Sequence, residues 1–518
     1  MACWIGVSLS RYPCAMTAEV EPPRSPRGAR GALTVLAVFV GLTVVLVAAR
    51  AGEVGLWDWD TYARMHFIHH YEPHIWVDGH ILYTGVMRVL MALGLGDAAA
   101  IVVLSAASAA GFVCLLWWIC RREGLAPVPT ALVLAGGTIG SPGLVELFLM
   151  AEDNLLYLPV VLGMCWLLYL RHGERRDAIR RGIGIGALVA AAILINVSLL
   201  VILGLFAAAP IMAVRDRTRA LGLGVALAAA VATYYLAHVV PFGGAKIALH
   251  EFLPQALGLK DFSHSTTPLL SLARFEQYRG GLRAIGVAPS IHLMSAPPWL
   301  TTLMLGVIPK LVVVLWAAVG VWLVRWRREE LRAAFTTRLD LLALIAVGAA
   351  FPFFYEPYMI ERWDLFWVGA VFGLVPLFKL RPSRVVVALV AAAIALQGVG
   401  TVVTVLHHHG VAWPTPGLVE ARATARLVRE RYPGVVVMDL GRDRLLLAEF
   451  RRRSGTRRVV LVGERDGAVT CIRMVDLIEV PSDLAEVQRA LAEAQGPSYF
   501  DPELSPRVRE ALTPAAPR

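Results

Sequence analysis

Charge is what this chain has least of. Only 17% of its 518 residues are Asp, Glu, Lys or Arg, against about 25% in an ordinary soluble domain. With 57% hydrophobic residues and a mean hydropathy of +0.62, the chain as a whole is not a soluble globular protein. Cysteine is scarce as well, six in all. No Cys-x-x-Cys pair occurs, which argues against a zinc ribbon. Cys471 stands alone in the C-terminal tail, so that tail cannot close an internal disulfide. A glycine-rich phosphate loop is missing too. The "GIGIG" run at Gly182 lies in an apolar stretch, where small residues serve close helix packing.

What the chain has instead is a series of apolar stretches of about 20 residues, the length a helix needs to cross a bilayer. About eleven spans are expected, near 32–49, 98–119, 128–149, 155–170, 183–198, 199–214, 219–240, 299–324, 339–354, 365–380 and 385–406. The net charge of +10 sits in short clusters between them: "RRE" at Arg121, "RHGERRDAIRR" at Arg171, "RDRTR" at Arg215, "RWRREELR" at Arg325 and "KLRPSR" at Lys379. One threading puts every cluster on the cytoplasmic side, as the positive-inside rule requires. The charge therefore reads as a topology signal, and no nucleic-acid partner is expected. Residues 1–30, rich in Pro and Arg, read as a disordered cytoplasmic leader ahead of a membrane region over 31–410.

From Pro416 the composition becomes that of a small soluble α/β domain over 416–518, placed outside the membrane by the span count. "VVVMDL" (435–440) and "RRVVLVGE" (457–464) read as buried strands. "GLVEARATARLVRERY" and "SDLAEVQRALAEA" have helical periodicity, the second with Ser482 as its expected N-cap. The expected class is thus an α-helical polytopic membrane protein with a small C-terminal extracytoplasmic α/β domain.

Concentrated acids fall on the side opposite the basic clusters. Asp58 and Asp60 follow the first span, then Asp78 and His80; Glu152 and Asp153 lie in a later loop, and Glu356, Glu361, Arg362 and Asp364 in another. A carboxylate within hydrogen-bond reach of a hydroxyl can deprotonate it during attack, and an Arg can hold a phosphate with two parallel hydrogen bonds. Each feature has a plainer reading. Asp58 and Asp60 could solvate a helix end beside the interfacial Trp57 and Trp59. Glu361 and Arg362 could pair with each other. His66, His69, His70 and His74 have a spacing that could hold a metal on one helical face and equally suit an interface, so the metal assignment stays unknown.

These residues and motifs resemble the GT-C superfamily of polytopic glycosyltransferases, nearest to bacterial protein-mannosyltransferase and aminoarabinose-transferase types. "DWD" (58–60) occupies the place of the family's acidic motif after the first span, followed by Tyr62 and "DGHILYTGVMRVLMALG" from Asp78. "GIGIGALVAAAILINVSLLVILGLFAAAPIMAVRDR" is similar to the family's double helix, with Asn196-Val197 where a Thr-Lys pair is usual. "YMIERWDLFWVGAVFGL" resembles its late "ERY" segment, with Trp363 for Tyr.

The resemblance implies an enzyme that transfers a sugar from a polyprenyl-phosphate donor to an envelope lipid, polysaccharide or protein acceptor, on the outer face of the cytoplasmic membrane. It implies Asp60 or Asp58 as the base, with Asp153 or Glu152 as a second acid. Arg362, with Lys246, Arg274 or Arg279, would stabilise the departing phosphate. Tyr62, Asp78, His80 and Glu361 would contact substrate. No nucleotide cofactor is expected, and a divalent cation is left open. Membrane lipids, the lipid-linked donor and the acceptor are the implied partners. The alternative class is a transporter or lipid flippase without glycosyl transfer, which calls for charges within spans and broken helices.

Overall fold

A computed structural model describes residues 26–49, 81–149, 154–170, 175–195, 214, 216–236, 271–288, 293, 296–354, 363–408, 416–441, 459–465, 468–475 and 478–512. Helices dominate. They are α1 (Pro26–Ala49), α2 (Ile81–Ala92), α3 (Asp97–Arg122), α4 (Pro127–Gly136), α5 (Pro142–Leu149), α6 (Asn154–Tyr169), α7 (Arg175–Ile195), α8 (Arg217–Tyr234), α9 (Leu272–Gly286), α10 (Pro298–Trp326), α11 (Arg328–Thr337), α12 (Leu339–Phe354), α13 (Asp364–Lys379) and α14 (Arg384–His408). Four stretches are long and apolar enough to cross a membrane: Ala99–Arg122, Arg175–Ile195, Pro298–Trp326 and Arg384–Leu406. The chain is a helical membrane protein.

Nine of the expected spans overlie single helices across their described residues; 196–198 and 237–240 lie outside those residues. The span 199–214 lies, but for its last residue, outside the described residues. The span 128–149 is corrected: it is two short helices, α4 and α5, separated by residues 137–141. Irregular backbone at membrane depth survives only when protein covers it, and here it is covered. A Cβ at Gly137 would lie 2.9 Å from Leu116, one at Gly140 2.7 Å from Ile394, and one at Gly143 2.2 Å from Ile285. α10 also departs from a plain helix. Its turn Leu303–Val307 is π-helical, just ahead of Pro309, whose ring cannot accept the normal helical pitch before it.

The small-residue reading of "GIGIG" holds. α7 and α8 meet backbone to backbone, so that a Cβ at Gly182 would lie 2.3 Å from the Gly222 carbonyl oxygen and one at Gly186 2.7 Å from Ala229. α8 starts where Asp216 accepts a hydrogen bond from the Arg219 backbone N–H, 3.0 Å away, a side-chain cap on an otherwise unpaired donor.

Four of the basic clusters converge at one end of the bundle. The buried Arg219 guanidinium donates from Nε to Asp340 Oδ2 at 2.6 Å and from Nη2 to Asp340 Oδ1 at 2.5 Å, and also reaches the Leu168 carbonyl. Lys379 pairs with Glu123, Arg327 donates to the Leu380 carbonyl, and the Arg338 guanidinium lies 4.7 Å above the Tyr169 ring. These contacts bring the ends of α3, α6, α12 and α13 together.

Residues 416–512 carry α15 (Pro416–Arg431), strands β1 (Val436–Asp439), β2 (Val459–Arg465), β3 (Ala468–Val475), β4 (Ile478–Ser482) and β5 (Tyr499–Phe500), and helices α16 (Leu484–Ala492) and α17 (Pro506–Leu512). The sheet order is β4-β3-β2-β1-β5, parallel around β1 and antiparallel from β2 to β4. Along β1, Val436 and Met438 join the core that contains Ala425 and Val428 of α15. Val435 and Val437 join the opposite core with Val487 of α16 and Val508 of α17. Burial on both faces is why "VVVM" is an unbroken apolar run. The cap of α16 is Asp483, whose side chain accepts from Ala485 N–H, not the expected Ser482. Ser482 is still paired in β4, opposite Cys471, so Asp483 is the first residue free to cap.

Candidate functional site

Helix length sets the site. α12 and α13 have 16 residues each, about 24 Å at a rise of about 1.5 Å per residue. α3 and α14 have 26 and 25, about 38 Å. Because contacts at the basic end hold the helices level, Phe354 and Asp364 stop about 14 Å short of the far ends of the long helices. The packing agrees with that depth. A Cβ at Gly286 would touch Trp367, in the first turn of α13, and Gln397, halfway along α14.

α9 lies across these recessed ends. Ser271 caps it by accepting from the Arg274 N–H at 3.1 Å, and its inner stripe Arg274, Tyr278, Gly281 and Ile285 repeats at helical spacing. Arg274 is buried and donates from Nε to the Phe353 carbonyl at 2.8 Å and from Nη2 to the Phe354 carbonyl at 2.9 Å. Those carbonyls belong to the last turn of α12, where intrahelical partners run out. Tyr278 donates to the Ala349 carbonyl at 2.8 Å and packs its ring 4.6 Å from Trp363 and 5.5 Å from Phe353. Burial pushes the Tyr278 phenol above its ordinary pKa, so it stays a donor.

Beside this aromatic layer lies a buried carboxylate. Asp364, at the start of α13, is fully buried and accepts a hydrogen bond from the hydroxyl of Tyr157, itself 2% exposed, in the first turn of α6. The phenol O–H gives this carboxylate, removed from water, a hydrogen-bond donor in place of the solvent it has lost. Charges at such depth are costly to retain.

A second polar group lines the broken helix. On α14, Gln397, Thr401 and Thr404 form one stripe and are buried. Gln397 Nε2 donates to the Gly286 carbonyl at 2.9 Å, and Thr401 Oγ1 to the Ile139 carbonyl at 2.6 Å. α14 thus satisfies both the end of α9 and the gap between α4 and α5. Gly400 is required between them, because a Cβ there would lie 1.4 Å from the Val287 carbonyl oxygen. The hydroxyls of Ser141 and Thr404 are buried with no hydrogen-bond partner among the described residues.

Of the residues expected to form the site, Arg274 and Arg279 are described. Arg274 clamps α12, and Arg279 is exposed on α9 and paired with Glu276. They are on different faces of one helix. Asp58, Asp60, Tyr62, Asp78, His80, Glu152, Asp153, Lys246, Glu361 and Arg362, like the histidines 66–74 and Asn196, lie outside the described residues. Among the described residues no group of three or more His, Cys, Asp and Glu side chains is placed to hold a metal ion. Tyr157, Gln397 and Thr401 were not singled out in the sequence, although the 397–401–404 spacing in an apolar helix marks a polar stripe. No model of a known protein family matches the chain, and no curated protein matches it significantly.

Proposed function

We propose that the protein is a membrane glycosyltransferase of GT-C type, with about eleven spans, a cytoplasmic N-terminus and a C-terminal α/β domain on the outer side. It takes a sugar from a polyprenyl-phosphate donor and gives it to an envelope lipid, polysaccharide or protein. The observation that carries this reading is the buried Tyr157–Asp364 pair. It sits at the recessed end of the bundle, opposite the converged basic clusters and directly after the "ERW" segment.

In this reading the acceptor hydroxyl loses its proton to Asp60 or Asp58 while its oxygen attacks the anomeric carbon. The bond from that carbon to the phosphate oxygen breaks, and the lipid phosphate leaves with the electron pair. Arg362 and Lys246 stabilise the charge that develops there. Asp364 and Tyr157 hold the start of α13 rigid, two residues after Arg362 in the sequence. Glu152 and Asp153, next to the start of α6, orient the acceptor. Purified protein incubated with polyprenyl-phosphate sugars tests this: transfer is expected, and it should vanish in Asp60→Asn or Asp58→Asn. Transfer that survives both substitutions would sink the mechanism.

The gap between α4 and α5 favours a second reading, a transporter or lipid flippase, because broken helices build substrate sites in transporters. Proteoliposomes that move a lipid-linked sugar across the bilayer, with no transfer to any acceptor, would select it.

A further inference from the structure

Of the four long apolar helices, α10 is the least covered by the rest of the chain: 17% of its most apolar stretch is buried, against 39% or more in the other three. One stripe of it packs inward. Met304, Ile308 and Val312 join a core with Val287 and Val403, and Val319 joins the main core of the bundle. The opposite face carries Lys310, Val314, Ala317, Val321 and Val324, all exposed, the three valines at 62%, 65% and 59%. These positions recur in steps of 4, 3, 4 and 3 residues, the seam spacing of one helix packed along another. β-Branched valines suit such a seam, and Ala317 lets a neighbouring backbone come close.

Lys310 does not fit a stripe covered by lipid alone. Trp299 and Trp326, 67% and 66% exposed, end α10 as interfacial aromatics do. Lys310 is 11 residues from the first and 16 from the second, about 16 Å and about 24 Å along the axis. With about 5 Å of headgroup region on each side of a hydrocarbon core about 30 Å thick, its Cα lies about 11 Å inside the hydrocarbon. An extended lysine stem covers only about 6 Å of that. The ammonium therefore calls for an anion at membrane depth.

Phosphate headgroups lie too high to supply one. A second copy of this chain does not supply it either. A symmetric pair in one bilayer has its two-fold axis along the membrane normal, which brings Lys310 against Lys310. A carboxylate on another protein's membrane helix meets both the charge and the spacing. We propose that this stripe of α10 docks a transmembrane helix of a partner protein, which presents an Asp or Glu to Lys310 and packs along Val314, Ala317, Val321 and Val324. The inference is independent of whether a sugar is transferred.

The probe is a synthetic Leu/Ala transmembrane peptide with a single central Glu, whose binding to the full chain is read by energy transfer in phosphatidylcholine vesicles. The Glu peptide should bind about tenfold more tightly than its Gln counterpart, the scale of one charge-assisted hydrogen bond. Lys310→Met should bind both peptides equally, and Lys310→Glu should prefer a peptide with a central Lys. Val314→Phe should weaken binding by crowding the seam. Leu311→Phe, at a position 45% exposed but off the seam, should match the wild type. Equal binding of the Glu and Gln peptides by the wild type would overturn the proposal, as would a Glu preference that survives Lys310→Met. Equal losses in Val314→Phe and Leu311→Phe would overturn the seam. So would disulfide-linked dimers that form in Val314→Cys and not in the wild type, because they place a second copy on the stripe.

Discussion

The two ends of the helix bundle treat charge in opposite ways. At the basic end, cations find partners within the chain: Arg219 on Asp340, Lys379 on Glu123, Arg327 on the Leu380 carbonyl, Arg338 over Tyr169. At the recessed end, a dry carboxylate accepts a hydrogen bond from a buried phenol instead of facing a cation. Clusters that serve as topology signals in the sequence thus also clasp the bundle shut. At the other end, short helices bring polar groups below the ends of long ones.

Breaking the clasp should have the largest effect. Arg219→Ala leaves Asp340 buried without its counter-charge and should cost about 3 to 5 kcal/mol, read by detergent-titrated unfolding. Replacing both by Leu should restore most of that loss. A single-substitution cost below about 1 kcal/mol would mean water reaches the pair.

At the recessed end, Tyr157→Phe removes one hydrogen bond and should cost about 1 to 2 kcal/mol. If Asp364 belongs to a working site, transfer of sugar should fall by much more than that loss of folded protein explains. Transfer that tracks the folded fraction would assign the pair a purely structural role. The smallest effect should come from Lys379→Gln, about 1 kcal/mol, because the Lys379 side chain is 41% exposed, although its partner Glu123 is only 8% exposed. A large cost there would remove the contrast between interior and rim at the basic end.

Much of the helical scaffold was legible because a lipid-facing helix needs a long apolar run, and such runs are read without knowing any contact. The small-residue interface of α7 and α8 was legible for a related reason: Gly182 and Gly186 recur at helical spacing. The gap at 137–141 was not, because "LAGGTIGSPG" remains apolar on average. What breaks the helix there is Pro142 together with glycines that let neighbouring side chains approach. The Arg219–Asp340 pair was hidden because its members are 121 residues apart and Asp340 stands alone in an apolar segment. Three arginines recur on α9, and only their partners separate the Arg274 clamp from the exposed Arg279 pair. In the C-terminal sheet the unbroken "VVVM" identified a strand covered on both faces, whereas the shift of the α16 cap from Ser482 to Asp483 depended on how far β4 pairs.

The hydrogen bond from Thr401 to the Ile139 carbonyl joins residues 262 positions apart. During synthesis at about 5 to 20 residues per second, the gap between α4 and α5 therefore waits about 13 to 50 seconds for the helix that completes it. Through that interval the early helices sit in the bilayer with a carbonyl that neither lipid nor their own backbone can satisfy. α14 acts as the closing step of assembly, and a chain truncated before it is a natural substrate for membrane quality control.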